Sequence, residues 1–278
     1  MEIGIIGFVE MLNERFGINI SAYEDSFVAK SIKNRQLQLG IGSFAEFYDL
    51  LKGNQSEAIL LHDSLQIGYS EFFRNPLFFA LLEQHLLPLL LNRKRNGGGQ
   101  ELRIWSSACA SGQEPYSLAI LLREMNENLP EKINYRIFAT DNCEIELGKA
   151  REGAYCLNSL NRITLKRFQS FFLQNGETYL LSPLIKNSVD FSFFDLLSDQ
   201  GACPASSVYG NFDLVLCCNL LFYYKPEFRT RILEKLSNTL APGGFLVTGE
   251  TEREILLKNG YKEFIEFSSI FLKPEITI

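Results

Sequence analysis

Two acidic residues stand where a charged ligand could meet them. Glu114 begins an apolar helical pattern after the small-residue segment 107–112, and Asp141 ends a strand-like run. A carboxylate at a helix start repels a phosphate and attracts an ammonium or sulfonium group. A carboxylate at a strand end can accept hydrogen bonds from two ribose hydroxyls, although capping of a helix beginning near Glu144 would explain Asp141 equally well. Together the two residues favour a cationic nucleoside as the ligand.

The segment after the first strand-like run also lacks the GxGxxG pattern that cradles a dinucleotide pyrophosphate. A ribose-binding and a cation-binding carboxylate without a phosphate loop describe S-adenosylmethionine better than NAD or ATP. Two further strand ends could complete such a site. Asp195 could face the adenine amino group, and Asn219, which precedes the aromatic residues 222–224, fits a wall for cofactor and acceptor. Simple packing would explain those aromatic residues as well.

The elements that must position these residues follow from the hydrophobic pattern. From residue 101 onward, short apolar runs alternate with helical periodicity, which predicts right-handed crossovers and a mainly parallel sheet covered on both faces. Residues 154–188 interrupt this rhythm and could form a small inserted β-hairpin unit. The predicted strands are Leu102–Ser106, Tyr135–Thr140, Val189–Phe194, Phe212–Cys218 and Gly244–Thr248, and the predicted helices are Pro115–Asn126, Glu144–Glu152 and Pro226–Leu240.

The first 95 residues or so have a helical pattern instead. Apolar residues recur at three-to-four spacing in two stretches, 8–16 and 44–51, with Ser43 as a predicted N-cap. Asn75-Pro76 opens another helix, and the polar stretch 92–99 is typical of a connection. We therefore expect an all-α domain over residues 1–72, a connecting helix and linker over 73–99, and an α/β domain over 100–278.

The cysteines and histidines do not indicate a metal centre. The six cysteines have no CxxC spacing and lie mostly in apolar runs, which is typical of reduced, buried thiols. His62 and His85, the two histidines, are far apart in the sequence. We predict that the protein has no metal site.

Six sequence blocks resemble the CheR family of chemotaxis receptor methyltransferases, and they occur in the family's order across nearly the whole chain. The resemblance implies an all-helical N-terminal domain, a class I methyltransferase domain with a Rossmann-like α/β fold, and a small antiparallel β-subdomain inserted in it. It also implies methyl transfer from S-adenosylmethionine to glutamate side chains of receptors, with S-adenosylhomocysteine as the product. The blocks are SEFFRNP at 70–76, RIWSSACASGQEPYSLAI at 103–120, ATD at 139–141, AREGAY at 150–155, FDLVLCCNLLFYY at 212–224 and LAPGGFLVTGETE at 240–252.

The same resemblance assigns roles to individual residues. It implies that Arg74, the arginine of the FFR block, lies beside the reacting groups and that Tyr223 lines the acceptor side, so both are predicted catalytic residues. Glu114 matches the residue that holds the methionine part of the cofactor, and Asp141 matches the ribose-binding aspartate. The predicted cofactor-binding residues are Ser70, Arg74, Ala108, Glu114, Asp141, Asp195, Leu196, Cys218 and Asn219.

The predicted chemistry needs no general base, because a glutamate with a pKa of about 4.3 is already a carboxylate at neutral pH. Alignment of the reactants then matters most. Arg74 stays charged and offers a planar fork that could hold the acceptor carboxylate. The alternative for Arg74 is a structural salt bridge to a helix end.

Several positions depart from the family pattern. This chain has Gly68 where the family usually has Asn, and Gln113 where the family has the first of two glutamates. It has Asp195 in place of Asn, and Cys218 in place of the Arg of a Cys-Arg-Asn motif. Residues 1–66 carry nine acidic and five basic side chains, whereas family members have an arginine-rich helix there. Lys30, Lys33 and Arg35 are a thinned version of that helix. They could be simply a solvated helix face or a docking site for an acidic partner. An alternative function is therefore an S-adenosylmethionine-binding regulatory or scaffold module with weak or no turnover. The missing glycine fingerprint disfavours an NAD-dependent oxidoreductase.

Composition limits the partners. A formal net charge of −6 argues against nucleic acid as the main partner. Apolar stretches such as Leu86–Leu91 fall far short of the roughly 20 residues that a membrane-spanning helix needs, so we expect no membrane insertion. The N-terminus lacks the features of a secretory signal, which predicts a cytoplasmic protein. The expected partner is a chemoreceptor-like protein with methyl-accepting glutamates, and a monomer is the favoured state.

Overall fold

The computed structural model describes residues 4–66, 68–97 and 101–273. The chain forms two compact units. One contains residues 4–66 together with 220–229, and the other contains the remaining described residues from 68 onward. Within the described ranges, every helix is too short or too polar to cross a membrane.

The first unit is helical, as the periodicity predicts. Its helices are α1 (Ile5–Phe16), α2 (Asp25–Leu39), α3 (Phe44–Lys52) and α4 (Gln55–Leu65). The Ser43 side chain accepts a hydrogen bond from the Glu46 N–H at 3.2 Å, which confirms the predicted N-cap of α3. Phe8 and Phe47 are fully buried in the core that the four helices enclose.

The second unit begins with a helix that the Asn75 side chain caps by accepting the Phe78 N–H at 3.2 Å. This helix consists of α5 (Pro76–Leu81), a π-helical turn (Leu82–Leu86) and α6 (Leu87–Asn96). The polar stretch that was expected to be a connection is thus helical up to Asn96, while residues 98–99 lie outside the described residues. The helix is continued there because Arg93 donates to the Gly243 carbonyl at 3.0 Å and Lys94 pairs with Asp213 at 2.9 Å.

Strands and helices alternate in the rest of this unit. In chain order they are β1 (Leu102–Ser106), α7 (Gln113–Glu127), β2 (Tyr135–Asp141), α8 (Glu144–Glu152), β3 (Ala154–Cys156), α9 (Leu165–Phe171), β4 (Phe172–Asn175), β5 (Thr178–Leu181), α10 (Pro183–Lys186), β6 (Val189–Phe193), β7 (Phe212–Cys217), α11 (Pro226–Thr239), β8 (Leu240–Thr248), α12 (Arg253–Lys258), β9 (Lys262–Glu263) and β10 (Ile270–Leu272). Short 3₁₀ helices cover Leu157–Leu160, Ala205–Ser207, Leu221–Tyr223 and Glu250–Glu252.

The large sheet has the order β6-β2-β1-β7-β8-β10-β9. The first five strands are parallel, and β10 pairs antiparallel with β8 and with β9. All five residues of β1 are buried, as expected for a central parallel strand covered on both faces. This arrangement confirms the predicted α/β architecture. Strand order reverses between β1 and β7, so the ligand crevice is expected at their carboxyl ends.

The strand β8 begins at Leu240, four residues earlier than its pattern predicts. Leu240 already pairs with Phe212 before an irregularity in the β7–β8 ladder. Gly244 makes this approach possible, because a β-carbon there would lie 2.8 Å from the Phe212 carbonyl oxygen. The sequence pattern did not reveal this pairing because Pro242 and two glycines interrupt the apolar run.

The predicted inserted hairpin is present as β4 and β5, joined at Gly176 with a φ of 63°. The strand β3 adds to β5, giving a three-stranded antiparallel sheet in the order β3-β5-β4. Arg167 ties this small sheet's helix α9 to the rest of the unit through ion pairs with Glu83 at 2.7 Å and Glu124 at 2.8 Å.

Candidate active site

The loop between β1 and α7 brings main chain to the carboxyl ends of three strands. The Ser107 N–H and hydroxyl both donate to the Leu216 carbonyl at the end of β7, at 2.9 and 2.8 Å. The Cys109 N–H donates to the Thr140 carbonyl of β2 at 2.9 Å. Ala108, one of the predicted cofactor residues, lies between these two anchors and is half-buried. The loop therefore lines the crevice on both sides of β1.

Gly112 lets this loop turn sharply into α7. Its φ is 91°, a left-handed conformation that favours glycine. A β-carbon at this position would also lie 2.9 Å from the Ala150 β-carbon of α8. The left-handed φ and the close approach of α8 explain why position 112 is a glycine. Gly112 is the N-cap residue, so α7 begins at the next residue, Gln113.

Glu114 lies in the first turn of α7. Its Oε1 accepts a hydrogen bond from the Ser106 hydroxyl at 2.7 Å, and its carboxylate also accepts one from the Cys218 thiol. Burial raises the pKa of Glu114, while these two donors act against that shift. Burial, followed by the charge of Glu114, raises the pKa of the Cys218 thiol well above its usual value. The pair is thus a carboxyl group beside a neutral thiol.

Asp141 ends β2 and accepts its hydrogen bonds from the main chain. The Ala110 N–H donates to Oδ2 at 2.8 Å, and the Cys143 N–H donates to Oδ1 at 3.0 Å. Burial raises the pKa of Asp141, and the two backbone donors oppose the rise. Cys143 is the N-cap residue of α8, so Asp141 contributes to the start of that helix, as the capping alternative suggests. A carboxylate offers about four acceptor positions, which leaves capacity for ribose hydroxyls.

The segment after β6 lies beside Asp141, because the Phe194 N–H donates to the Asp141 carbonyl at 3.0 Å. The next residue, Asp195, accepts the Leu197 N–H at 2.8 Å and is half-buried. Leu196 between them is 7% exposed. Asp195, predicted to face the adenine, and Leu196, predicted to bind the cofactor, therefore lie next to the predicted ribose site.

Asn219 follows β7 in an unusual backbone conformation, with a φ of 60°. Asparagine is among the residues that tolerate this left-handed region best. Its N–H donates to Oε2 of Glu252 at 2.7 Å. The turn that carries Cys218 and Asn219 is consequently held from the end of β8, where Glu252 lies in a 3₁₀ helix.

Arg74 is placed by the turn of the FFR block. Phe73 has a φ of 51°, and its N–H donates to the Ser117 hydroxyl of α7 at 3.0 Å. Arg74 lies over the Tyr69 ring at 5.1 Å and donates through Nη1 to the Tyr69 carbonyl at 3.2 Å. The charge of Arg74 lowers the pKa of Glu114, so the structure brings these two predicted residues together. Ser70 is half-buried in the same turn.

Tyr223, the other predicted catalytic residue, lies in segment 220–229 and belongs to the helical unit. Its ring centroid lies 4.7 Å from that of Phe27 and 4.2 Å from that of Phe222. Its carbonyl accepts the Glu24 N–H at 2.8 Å. The ring and the main chain of Tyr223 are therefore held by the beginning of α2.

Sequence reasoning missed two carboxylates near the site. Glu252 is completely buried, and its only sequence signal is an acidic residue just after a strand in the GETE block. Glu146 raises the pKa of Asp141 by its charge, and its carboxyl carbon would lie 2.7 Å from a β-carbon at position 68. Gly68 therefore fits this protein because the Glu146 carboxylate occupies that space.

The arrangement suits S-adenosylmethionine. Two half-buried carboxyl groups, Glu114 in the first turn of α7 and Asp141 at the end of β2, have raised pKa values, and a cation and hydroxyl donors would stabilise their charges. The loop beside them is built of small residues that allow a close approach to the main chain. Among the described residues, no group of three or more histidine, cysteine, aspartate or glutamate side chains could hold a metal ion.

Comparisons with known proteins identify the family of this chain. Residues 69–269 match the CheR methyltransferase, SAM binding domain, and residues 5–65 match the CheR methyltransferase, all-alpha domain. Chemotaxis protein methyltransferase 1 of Pseudomonas aeruginosa PAO1 is 32% identical over 252 residues, covering 88% of each chain. The chemotaxis protein methyltransferase of Escherichia coli K12 is 29% identical over 249 residues, covering 87% of this chain and 82% of the relative.

Among solved structures, the N-methyltransferase NodS of Bradyrhizobium japonicum WM9, in complex with S-adenosyl-L-homocysteine, is similar with a TM-score of 0.36 and 16% identity. That match covers 77% of this chain and 98% of NodS, but its TM-score is too low to add to the assignment. The two domain matches and the relatives at about 30% identity decide it. This chain belongs to the CheR family and is an S-adenosylmethionine-dependent methyltransferase of the chemotaxis type.

Proposed function

We propose that this enzyme methylates glutamate side chains of a chemoreceptor-like signalling protein, forming glutamate methyl esters and S-adenosylhomocysteine. The observation that carries the proposal is Arg74, a half-buried guanidinium close enough to Glu114 to lower its pKa. It supplies a fixed positive charge beside the predicted methionine site. The relatives named chemotaxis protein methyltransferases support the class of acceptor.

The residues at the strand ends would hold the cofactor. Glu114 would bind the methionine ammonium group, because its carboxylate already accepts from two neutral donors and can accept from a cation as well. Asp141 would accept from the ribose hydroxyls, and Asp195 with Leu196 would flank the adenine. Ser70, Ala108, Cys218 and Asn219 would complete the contacts around the cofactor.

The bound cofactor supplies a methyl group on a sulfonium centre. Transfer of that methyl group to an acceptor carboxylate would form a C–O bond and break the S–C bond, and the opposite charges of the two groups would cancel. No proton moves, so the chain needs no general base. The task of Arg74 is to bind the acceptor carboxylate through its planar fork and to keep it ionised. Tyr223 keeps the acceptor-side role that the family resemblance implies.

The packing of Arg74 fits this task better than a structural salt bridge. The guanidinium contacts the ring and the carbonyl of Tyr69. Neither partner carries a formal charge. Glu114, the acidic neighbour in the first turn of α7, acts on Arg74 through its charge, and among the described residues no ion pair joins the two side chains, so the guanidinium can still bind an acceptor carboxylate. The alternative named above, a salt bridge to a helix end, would need an acidic partner that neutralises this charge.

Substitution of Arg74 tests the proposal directly. We expect Arg74→Ala to abolish methyl transfer from labelled S-adenosylmethionine to a receptor fragment while the protein stays folded. Arg74→Lys should restore part of the rate, because a point charge cannot reproduce a bidentate fork. Cofactor affinity should fall less than turnover, since a guanidinium repels the sulfonium. The matched control is Arg136→Ala, which removes a surface arginine that pairs with Asp190 at 3.4 Å.

The pH dependence of the same assay gives a second criterion. With an acceptor that is already ionised, the rate should be flat above about pH 6. Full activity of Arg74→Ala at unchanged acceptor affinity would contradict the proposed role of Arg74. Tight cofactor binding by the unaltered protein without any transfer to receptor glutamates would favour the alternative of a binding or scaffold module.

A further inference from the structure

Glu252 is a buried carboxylate to which the mechanism above gives no task. The residue has 0% of its surface exposed and lies in the 3₁₀ helix directly after β8. Burying a charged group is costly unless it is paired or hydrogen-bonded. The position therefore calls for a reason beyond the filling of space.

The contacts of Glu252 point to the turn after β7. A single oxygen, Oε2, accepts the Asn219 N–H at 2.7 Å and the Gly249 N–H at 2.9 Å. One carboxylate oxygen thus joins the end of β7 to the end of β8. Hydrogen bonds from amides to a charged acceptor are about twice as strong as neutral ones, so this bridge is stiff.

Gly249 contributes to the same hydrogen-bonded arrangement of Glu252 and Asn219. A β-carbon at position 249 would lie 2.8 Å from the Asn219 amide nitrogen Nδ2 and 2.9 Å from Glu252 Oε2. The φ of Gly249 is ordinary, so the glycine is required by the close approach of the two side chains and not by its backbone conformation. The Asn219 side chain therefore has a defined position against Gly249.

The turn held in this way carries two predicted cofactor residues. Asn219 has a φ of 60°, a conformation that persists in a non-glycine residue when the surroundings specify it. Cys218, the preceding residue, donates to Glu114 on the other side of the point where strand order reverses. A shift of the turn would move Asn219 and would break the contact between Cys218 and Glu114.

We infer that Glu252 is a positioning residue, whose carboxylate holds the Cys218–Asn219 turn in the conformation that binds S-adenosylmethionine. It touches neither the cofactor nor the acceptor in this role, and acts through the backbone of Asn219. The inference rests on the proposed placement of the cofactor beside Asn219. It does not depend on which protein is methylated.

Calorimetric affinity for S-adenosylhomocysteine tests the inference. Glu252→Ala removes the shared acceptor, and we expect at least tenfold weaker binding by the folded protein. Glu252→Gln keeps an oxygen that can accept from both N–H groups, and its affinity should stay within about threefold of the unaltered protein. The matched control is Glu57→Gln in the helical unit. Glu57 is also buried and pairs with Arg35 at 2.7 Å, so its loss should lower stability without changing affinity.

A second variant keeps Glu252 and addresses the case in which Glu252→Ala does not fold. Gly249→Ala would place a methyl group against both Asn219 and Glu252, and it should also weaken binding. Its control is Gly148→Ala, where a β-carbon meets nothing within 4 Å. Asp141→Ala serves as the positive control for cofactor binding.

The outcomes separate this inference from the proposed function. Weaker binding by Glu252→Ala or Gly249→Ala, with rescue in Glu252→Gln, supports the inference. Unchanged affinity in the folded Glu252 and Gly249 variants, while Asp141→Ala binds poorly, overturns it and leaves the proposed function standing. Unchanged affinity in all of them, including Asp141→Ala, overturns the inference together with the proposed cofactor contacts, whereas the proposed acceptor is tested separately by methyl transfer in Arg74→Ala.

Discussion

Half-buried carboxyl groups lie at the start of α7, after β1, and at the end of β2, but the two are held by different kinds of donor. Asp141 accepts from the N–H groups of Ala110 and Cys143. Glu114 accepts from two side chains, the Ser106 hydroxyl and the Cys218 thiol. Backbone donors remain whatever side chains stand at those positions, whereas side-chain donors change with each substitution. The environment of Asp141 is therefore specified by the fold, and that of Glu114 by individual residues.

The charged neighbours of the two groups differ as well. Arg74 lowers the pKa of Glu114, whereas Glu146 raises that of Asp141. An ionised Glu114 is thus supported by a cation of this chain, and an ionised Asp141 faces another carboxylate. The comparison shows that Glu114 is suited to carry a negative charge, whereas Asp141 is suited to fix the conformation of the main chain around it.

Removing the charge of Glu114 while keeping its shape should have the largest effect. Glu114→Gln retains an oxygen for the Ser106 hydroxyl but cannot pair with an ammonium group. Affinity for S-adenosylhomocysteine should fall by about 1.5–3 kcal/mol, which is roughly 10- to 150-fold. Thermal stability should be unchanged or higher, because a buried charge is gone. Calorimetry and thermal unfolding measure the two quantities.

The control for that substitution is Glu127→Gln on the same helix. Glu127 is exposed and pairs with Arg123 at 2.6 Å, so its loss should change neither quantity beyond a few tenths of a kcal/mol. If Glu114→Gln and the unaltered protein bound S-adenosylhomocysteine with equal affinity, Glu114 would not be a cofactor-binding residue.

Asp141→Asn, unlike Glu114→Gln, should lower the free energy of unfolding as well as the affinity for the cofactor. The amide offers one oxygen and one NH₂ group, so one of the two backbone N–H donors would face another donor. An unsatisfied buried N–H costs about 1–3 kcal/mol in the free energy of unfolding. Cofactor affinity should fall by roughly tenfold, since the ribose loses an ionic acceptor. Chemical denaturation beside calorimetry distinguishes this variant from Glu114→Gln.

Asp190→Asn is the matched control, because Asp190 lies on the neighbouring strand β6 in a surface pair with Arg136. If Asp141→Asn proved as stable as this control, the backbone hydrogen bonds of Asp141 would not have the importance assigned to them.

The smallest effect concerns pH. Burial raises the pKa of Glu114 above 4.5 and that of Asp141 above 3.8, so the folded protein binds these protons more tightly than the unfolded chain does. Their contribution to stability is thus fully present below the unfolded pKa values and is lost as pH rises through the folded ones. Cofactor affinity has the opposite sign, because a cation and ribose hydroxyls require the ionised forms.

We therefore expect affinity for S-adenosylhomocysteine to be a few-fold weaker at about pH 5 than at about pH 7. The dependence should be shallower in Glu114→Gln, which has one titrating group fewer in the site. An identical pH profile in the two proteins would assign the titration to another group.

The positions of the candidate site residues at strand and helix ends could be predicted because the signals for them are local. Asp141 and Asn219 each stand directly after an apolar run, and parallel strands present their carboxyl ends at one edge. Glu114 stands two residues after Gly112 at a helix start, which is again a short-range pattern. The cysteines were predicted less well: Cys109 and Cys217 are buried, but Cys156 is exposed at the end of β3. A three-residue strand is too short for periodicity to distinguish its faces.

The sequence by itself determined the order of elements, the edge of the sheet where the site lies and the residue types available there. Only the tertiary structure decided their partners. It joined Cys218 to Glu114 and Glu252 to Asn219, and it put the Glu146 carboxylate where a side chain at position 68 would lie. These pairs are separated by 33 to 104 residues, and hydrogen bonds at such separations depend on how strands and helices pack together. Periodicity carries no information about that packing, because it records only which face of each element is apolar.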